Sequence, residues 1–132
     1  MILYELWDFR SERGENLIAN WTRRHERQHR ARLNAKLDML VRIPFESAIK
    51  SKLLHGPIQK QRHIYKLRIQ TNMAMRPLLC RGPIENLTEY TLLLGIEEKG
   101  GKLPDGAVDR AEGNRQAVLA DRSRRETHVR VA

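Results

Sequence analysis

Cys80 is the chain's one cysteine, so this 132-residue protein cannot form an internal disulfide framework. Five scattered histidines beside one thiol likewise exclude a cysteine-rich zinc site. No apolar run approaches the roughly 18 residues that a membrane helix requires. The opening Met1-Ile2-Leu3-Tyr4-Glu5 lacks the basic region and long apolar core of a signal peptide. Also missing are a glycine-rich phosphate loop and a Ser-His-Asp set. These absences predict a cytoplasmic protein without membrane contact, resident metal or cofactor.

Positive charge is abundant. Lys and Arg number 25 against 16 Asp and Glu, a formal net charge of +9. Such a balance predicts a polyanionic partner, although basic surfaces also serve acidic proteins and membranes. Residues 1–62 carry 13 basic and 7 acidic side chains, whereas residues 104–132 carry 6 and 5. The densest stretch is Arg23, Arg24, Arg27, Arg30, Arg32 and Lys36, opposed mainly by Glu26. Hydrophobic residues make up 40% of the chain, enough for one folded domain with a heavily charged surface.

The pattern along the chain predicts strands and helices in a definite order. Residues 2–9 interleave aromatics with charges, as a strand does. Ser11 and Gly14 suit a turn, and Glu15 or Asn16 stands near a helix start. Leu17, Ile18 and Trp21 form one helical stripe; Leu33, Leu37, Leu40 and Val41 form a second, ending before Pro44. A break near residues 26–30 makes these two antiparallel helices, with the Arg cluster on their outer faces and at the break. Pro44–Pro57 reads as a loop anchored by Leu53 and Leu54.

Three strands follow: Ile64–Ile69, Met75–Arg81 and Glu89–Ile96. Thr71-Asn72 and Gly82-Pro83 supply the turns between them. Pro77 places the second of these strands at an edge or a bulge. The third is almost wholly apolar, which predicts a central strand buried on both sides. Residues 95–102, with Gly100-Gly101, read as an exit loop, and Pro104 opens a helix with Ala107, Val108, Ala111 and Val118 on one face. The expected fold is α+β: a small, mainly antiparallel sheet with two N-terminal helices and a C-terminal helix packed on it. Residues 1–120 form the single domain, and residues 121–132 a charged tail that frays.

Function is legible mainly in the strand charges. Lys66 and Arg68 share one face of the first meander strand, and Arg76 sits on its neighbour. Lys99 and Lys102 follow the third strand. If the meander is contiguous, these cations converge on the face not covered by helices, where they suit a phosphodiester. The plain alternative is a solvated open face, since charges alternate on most half-buried strands. His63, at a strand entry, and His128 are candidate acids or bases, because histidine titrates in the useful range. His25 and His29 are spaced i, i+4 but have no third metal ligand in reach. Trp21 and Cys80 read as core residues.

The order of these motifs is similar to one family. Tyr4–Phe9, Gly14-Glu15-Asn16 at a helix start, Ile64-Tyr65-Lys66-Leu67-Arg68-Ile69 and Met75-Arg76-Pro77-Leu78-Leu79 carry the likeness. Thr91-Leu92-Leu93-Leu94-Gly95-Ile96, followed by Lys99, Lys102 and Pro104, completes it. Over roughly residues 2–120 the chain resembles the phage-derived, HigB-like branch of the RelE/ParE toxin superfamily. The resemblance implies the toxin of a bacterial type II toxin–antitoxin pair, cutting mRNA on the ribosome without a metal. In that reaction the RNA's own 2′-hydroxyl attacks the adjacent phosphate. The resemblance assigns Arg68 and Arg76 to the scissile phosphate, and Lys99 and Lys102 to RNA contact or proton transfer. Lys66, Arg81, Arg23, Arg24, Arg27, Arg30 and Arg32 become RNA-binding residues, the helical cluster docking on ribosomal RNA. The implied partners are a cognate antitoxin, expected to be a small helix-turn-helix protein, together with the ribosome and mRNA.

The chain departs from the family pattern at Glu97-Glu98, which makes the site less basic, and at Met75, where an aromatic is common. The tail has no tyrosine to serve as an acid. Two alternatives stay open at this point: a ParE-like inhibitor of DNA gyrase, and an inactive phage-derived protein of the same fold. One fold serves more than one activity, so only a site can decide among them.

Overall fold

The computed structural model describes residues 1–69 and 75–132. Six strands form one sheet: β1 (Glu5–Phe9), β2 (Leu54–His55), β3 (Tyr65–Leu67), β4 (Met75–Arg81), β5 (Glu89–Glu97) and β6 (Arg125–Thr127). Their order across the sheet is β2-β3-β4-β5-β1-β6. The helices are α1 (Leu17–Arg23), α2 (Arg27–Leu40), α3 (Phe45–Lys50) and α4 (Ala107–Ala120). The α+β expectation holds in its coarse form. The sheet is mixed, because β1 runs parallel to β5 while the other pairs are antiparallel. Among the described residues no helix is long and apolar enough to cross a membrane.

Two apolar clusters hold the sheet between helices. On one face Ile18 and Trp21 of α1, Leu33, Leu37 and Leu40 of α2, and Ala48 of α3 pack on Leu67, Leu79, Tyr90 and Leu92. On the other face Ala107, Val108 and Ala111 of α4 pack on Leu78, Cys80, Leu93 and Ile96. Asn16 caps α1 by accepting the Ala19 N–H at 2.8 Å, and its amide donates to Asp8 at 3.0 Å. The sequence thus places α1 and α2 as expected, with the break falling at residues 24–26 rather than 26–30. Arg27 and Arg30 therefore lie within α2.

Several expectations are corrected. Pro44–Pro57 is not one loop: it contains α3 and the short edge strand β2. Six and two residues give too little periodicity to read, although Leu53 and Leu54 are buried as anticipated. Pro77 does not sit in an edge strand, since β4 lies between β3 and β5. It lies one residue from a register shift at Leu78/Leu79, next to the bulge that is the other placement expected for it. The exit loop starts later than Gly95, because β5 continues to Glu97. The helix begins at Ala107, with Pro104 before it accepting the Ala107 N–H. The turn expected at Thr71-Asn72 lies outside the described residues.

Residues 121–132 do not fray. β6 pairs with β1, and Arg125 is buried against Glu89, with its guanidinium also donating to Thr91 at 3.1 Å. Asp8, fully buried, accepts from the Val129 N–H at 2.9 Å and lies 2.7 Å from His128 Nδ1. Arg30 donates to the Ala132 carbonyl, and the Asn34 amide to that of Val131. Charge that looks like a solvated tail in sequence is satisfied by specific partners here.

Gly95 marks the tightest approach between helix and sheet. A Cβ there would stand 2.0 Å from the indole of Trp21. Gly95→Ala is expected to lower stability by about 1–3 kcal/mol through overpacking. A urea midpoint equal to that of wild type would show that Trp21 does not seat on this strand.

Candidate functional site

The candidate site begins with β-strand parity. Paired residues lie on one face, so His55 opposite Lys66 places both on the face that α4 packs. Arg76 and Ile96 share that face in the same way. Lys66, Arg68 and Arg76 therefore meet as the sequence suggests. They do not occupy a face free of helices, however, because α4 covers part of it.

Position 98 joins them because β5 carries one extra residue. Leu79 pairs with Leu92, yet Leu78 pairs with Leu94, leaving Leu93 as the inserted position of a bulge. The insertion reverses parity along the rest of the strand. Glu97 then lies with the α1 face, 3.2 Å from Trp21 Nε1 and 3.0 Å from His25 Nε2. Glu98 lies with the opposite face, 2.7 Å from Arg76 Nε and 3.0 Å from Lys66 Nζ. Arg76 also donates to the Met75 carbonyl at 2.9 Å.

His55, Lys66, Arg68, Arg76 and Glu98 line a cleft of about 280 Å³. Arg68 also lines a neighbouring cleft of about 300 Å³, with Lys36 and Lys52 among its other walls. The two clefts form a basic track hinged on Arg68. Such a track can hold an extended anion, while its one imidazole can move a proton.

The electrostatics turn on Glu98. Burial pushes its pKa up, but the hydrogen bonds and charges of Lys66 and Arg76 outweigh that effect and hold it below the usual carboxylate value. Glu98 is therefore an anionic counter-charge inside a cationic cleft.

The other expected residues lie elsewhere. Lys99 and Lys102 are exposed and joined by backbone hydrogen bonds in a turn, outside the cleft lining. Arg81 and His63 line a separate cleft, and His128 is tied to Asp8 near β6. Arg23, Arg27 and Arg32 are exposed helical residues and Arg24 is exposed in the break between α1 and α2, whereas Arg30 holds the C-terminus. Cys80 is buried, its thiol pushed up to about 12 by desolvation. Among the described residues no three His, Cys, Asp or Glu side chains group to hold a metal ion.

No protein-family model, curated protein or solved structure matches this chain. The site is accordingly read from its own residues. Sequence reasoning missed His55 and Lys52, which sit beside the buried Leu53-Leu54 pair in elements too short to show a period. The only available signal was that Leu53-Leu54 anchor, which fixes where its neighbours emerge.

The lowered pKa of Glu98 has a signed consequence. Its pairing contributes stability fully above about pH 4.5, its ordinary value, and loses it as pH falls through the lowered folded value. Glu98→Gln is thus expected to be less stable than wild type at pH 7, with the difference shrinking towards pH 3. Urea denaturation of both proteins across that range checks it; a difference constant with pH would refute the pairing.

Proposed function

We propose that the protein is the toxin of a bacterial type II toxin–antitoxin pair, a RelE-like, HigB-like endoribonuclease that cuts mRNA on the ribosome in the cytoplasm. One observation carries this reading: His55, Lys66, Arg68, Arg76 and Glu98 converge in one cleft on a basic track. Three cations, one carboxylate and one imidazole are the parts that transesterification of a phosphodiester needs.

In the proposed reaction the RNA backbone lies along the Lys36–Lys52–Arg68 track, with the scissile phosphate between Arg68 and Arg76. Both guanidiniums donate to its non-bridging oxygens, where negative charge grows in the transition state. The phosphate displaces the Glu98 carboxylate from Arg76, so a substrate anion replaces an internal one. The ribose 2′-oxygen loses its proton and bonds to phosphorus. The P–O5′ bond breaks, giving a 2′,3′-cyclic phosphate and a 5′-hydroxyl, which takes up a proton. His55, the histidine in the cleft, exchanges these protons, and Glu98 accepts where the imidazole donates. No metal ion enters the balance. Lys99 and Lys102 contact RNA outside the cleft, and the exposed arginines of α1 and α2 dock on ribosomal RNA. A small helix-turn-helix antitoxin meets the basic surface.

The test is mRNA integrity in a translating extract. Arg68→Ala and Arg76→Ala should each lower cleavage by about 10²–10³-fold, the usual effect of losing one preorganised donor. His55→Ala should lower it by about 10²–10⁴-fold, as loss of a general acid–base group does. Intact message with wild-type protein would reject the reading; blocked DNA supercoiling in the same extract would put a gyrase inhibitor in its place.

A further inference from the structure

A third cleft, of about 340 Å³, lies at the end of the sheet where β3 begins. His63, Tyr65, Arg81, Asn86, Arg115 and Leu119 line it. Its charges are unevenly matched. Arg115 is held by Glu112 in a bidentate pair, at 2.7 and 3.0 Å. Arg81 has no such carboxylate: its guanidinium stacks on the Phe45 ring at 4.0 Å, and its shielded Nε lacks an acceptor among the described residues. His63 is held below its usual pKa, first by burial, then by Arg115 and Arg62, with Glu112 opposing them. Two guanidiniums and an imidazole thus border a concave, largely polar surface, Arg81 from the Phe45 side and Arg115, paired to Glu112, from α4.

That excess suits an anion, and planar guanidinium donors fit phosphate oxygens closely. The cleft also adjoins the first one along the chain. His63 and Tyr65 open into one, and Lys66 and Arg68 into the other. At a strand's rise the span from Tyr65 to Arg68 is roughly 10 Å. A single nucleic-acid strand can reach across it.

We propose that the His63–Arg81–Arg115 cleft binds a second phosphate of the RNA strand whose scissile phosphate occupies the His55–Glu98 cleft. The assignment rests on the endoribonuclease reading of that first cleft. Tyr65 and Asn86 offer a ring and an amide to the adjoining nucleotide. The cleft fixes the strand's register while the first cleft performs the chemistry.

The experiment follows the His63 ring by NMR in the full-length protein. One arm adds inorganic phosphate, the other a 2′-O-methyl RNA oligonucleotide that cannot be cut. The oligonucleotide should shift the ring resonances saturably and raise the His63 pKa, as a bound anion does. Arg115→Gln should weaken this binding by about tenfold, the effect of one charge-assisted contact. Leu119→Glu, at a half-exposed helical position, should do the same by repulsion and guards against misfolding in the first variant. With cleavable RNA both variants should raise KM about tenfold and leave kcat unchanged. A His63 response to phosphate but not to RNA overturns the proposal, as does silence in both arms. A saturable oligonucleotide response without RNA cleavage would retain this cleft and reject the nuclease reading of the other.

Discussion

The inserted residue at Leu93 is the constraint on which the site depends. A strand turns successive side chains to opposite faces, so one extra residue exchanges the faces of everything beyond it. With strict alternation, Glu98 would fall with Leu92 on the face of α1 and α2. The bulge instead delivers Glu97 to Trp21 and His25, and Glu98 to Arg76 and Lys66. It also turns both Leu93 and Leu94 towards α4, which gives the second apolar cluster part of its area. One backbone irregularity therefore sets both the core contact of α4 and the polar composition of the cleft.

Burial on two faces explains why β5 can bear such a distortion. It lies between β4 and β1, and its parallel partner β1 is itself pinned by the tail. Arg125 reaches under the sheet to Glu89 and Thr91, while Asp8 gathers Asn16, His128 and the Val129 N–H. Removing one member of such a buried ionic group leaves another without its charge, which is why these contacts act together. The result is a rigid floor for clefts that must hold charged side chains at fixed separations.

Charge falls into three kinds once its surroundings are known. Arg125 and Arg30 are engaged in a structural pair and a chain-end contact. Lys66, Arg68 and Arg76 meet in a cleft around an internal carboxylate. Arg23 and Arg27 remain exposed on the helices, and Arg24 on the turn between them. A net charge of +9 cannot distinguish these groups, since it counts cations without regard to what faces them.

Elements with strong periods were legible in the sequence: the stripes of α1, α2 and α4, and the strands β3, β4 and β5. Their apolar spacing is a local property, set by 3.6 residues per turn or two per pleat. The convergence of Lys66, Arg68 and Arg76 followed from that same alternation. His55, in a two-residue strand, left no such trace, and the tail's arginines look alike whether solvated or buried. The parallel placement of β1 beside β5, the insertion at Leu93 and the pairing of β6 were decided by the tertiary structure alone. Each joins residues far apart in the chain, where the outcome depends on which surfaces bury together rather than on the spacing of neighbours.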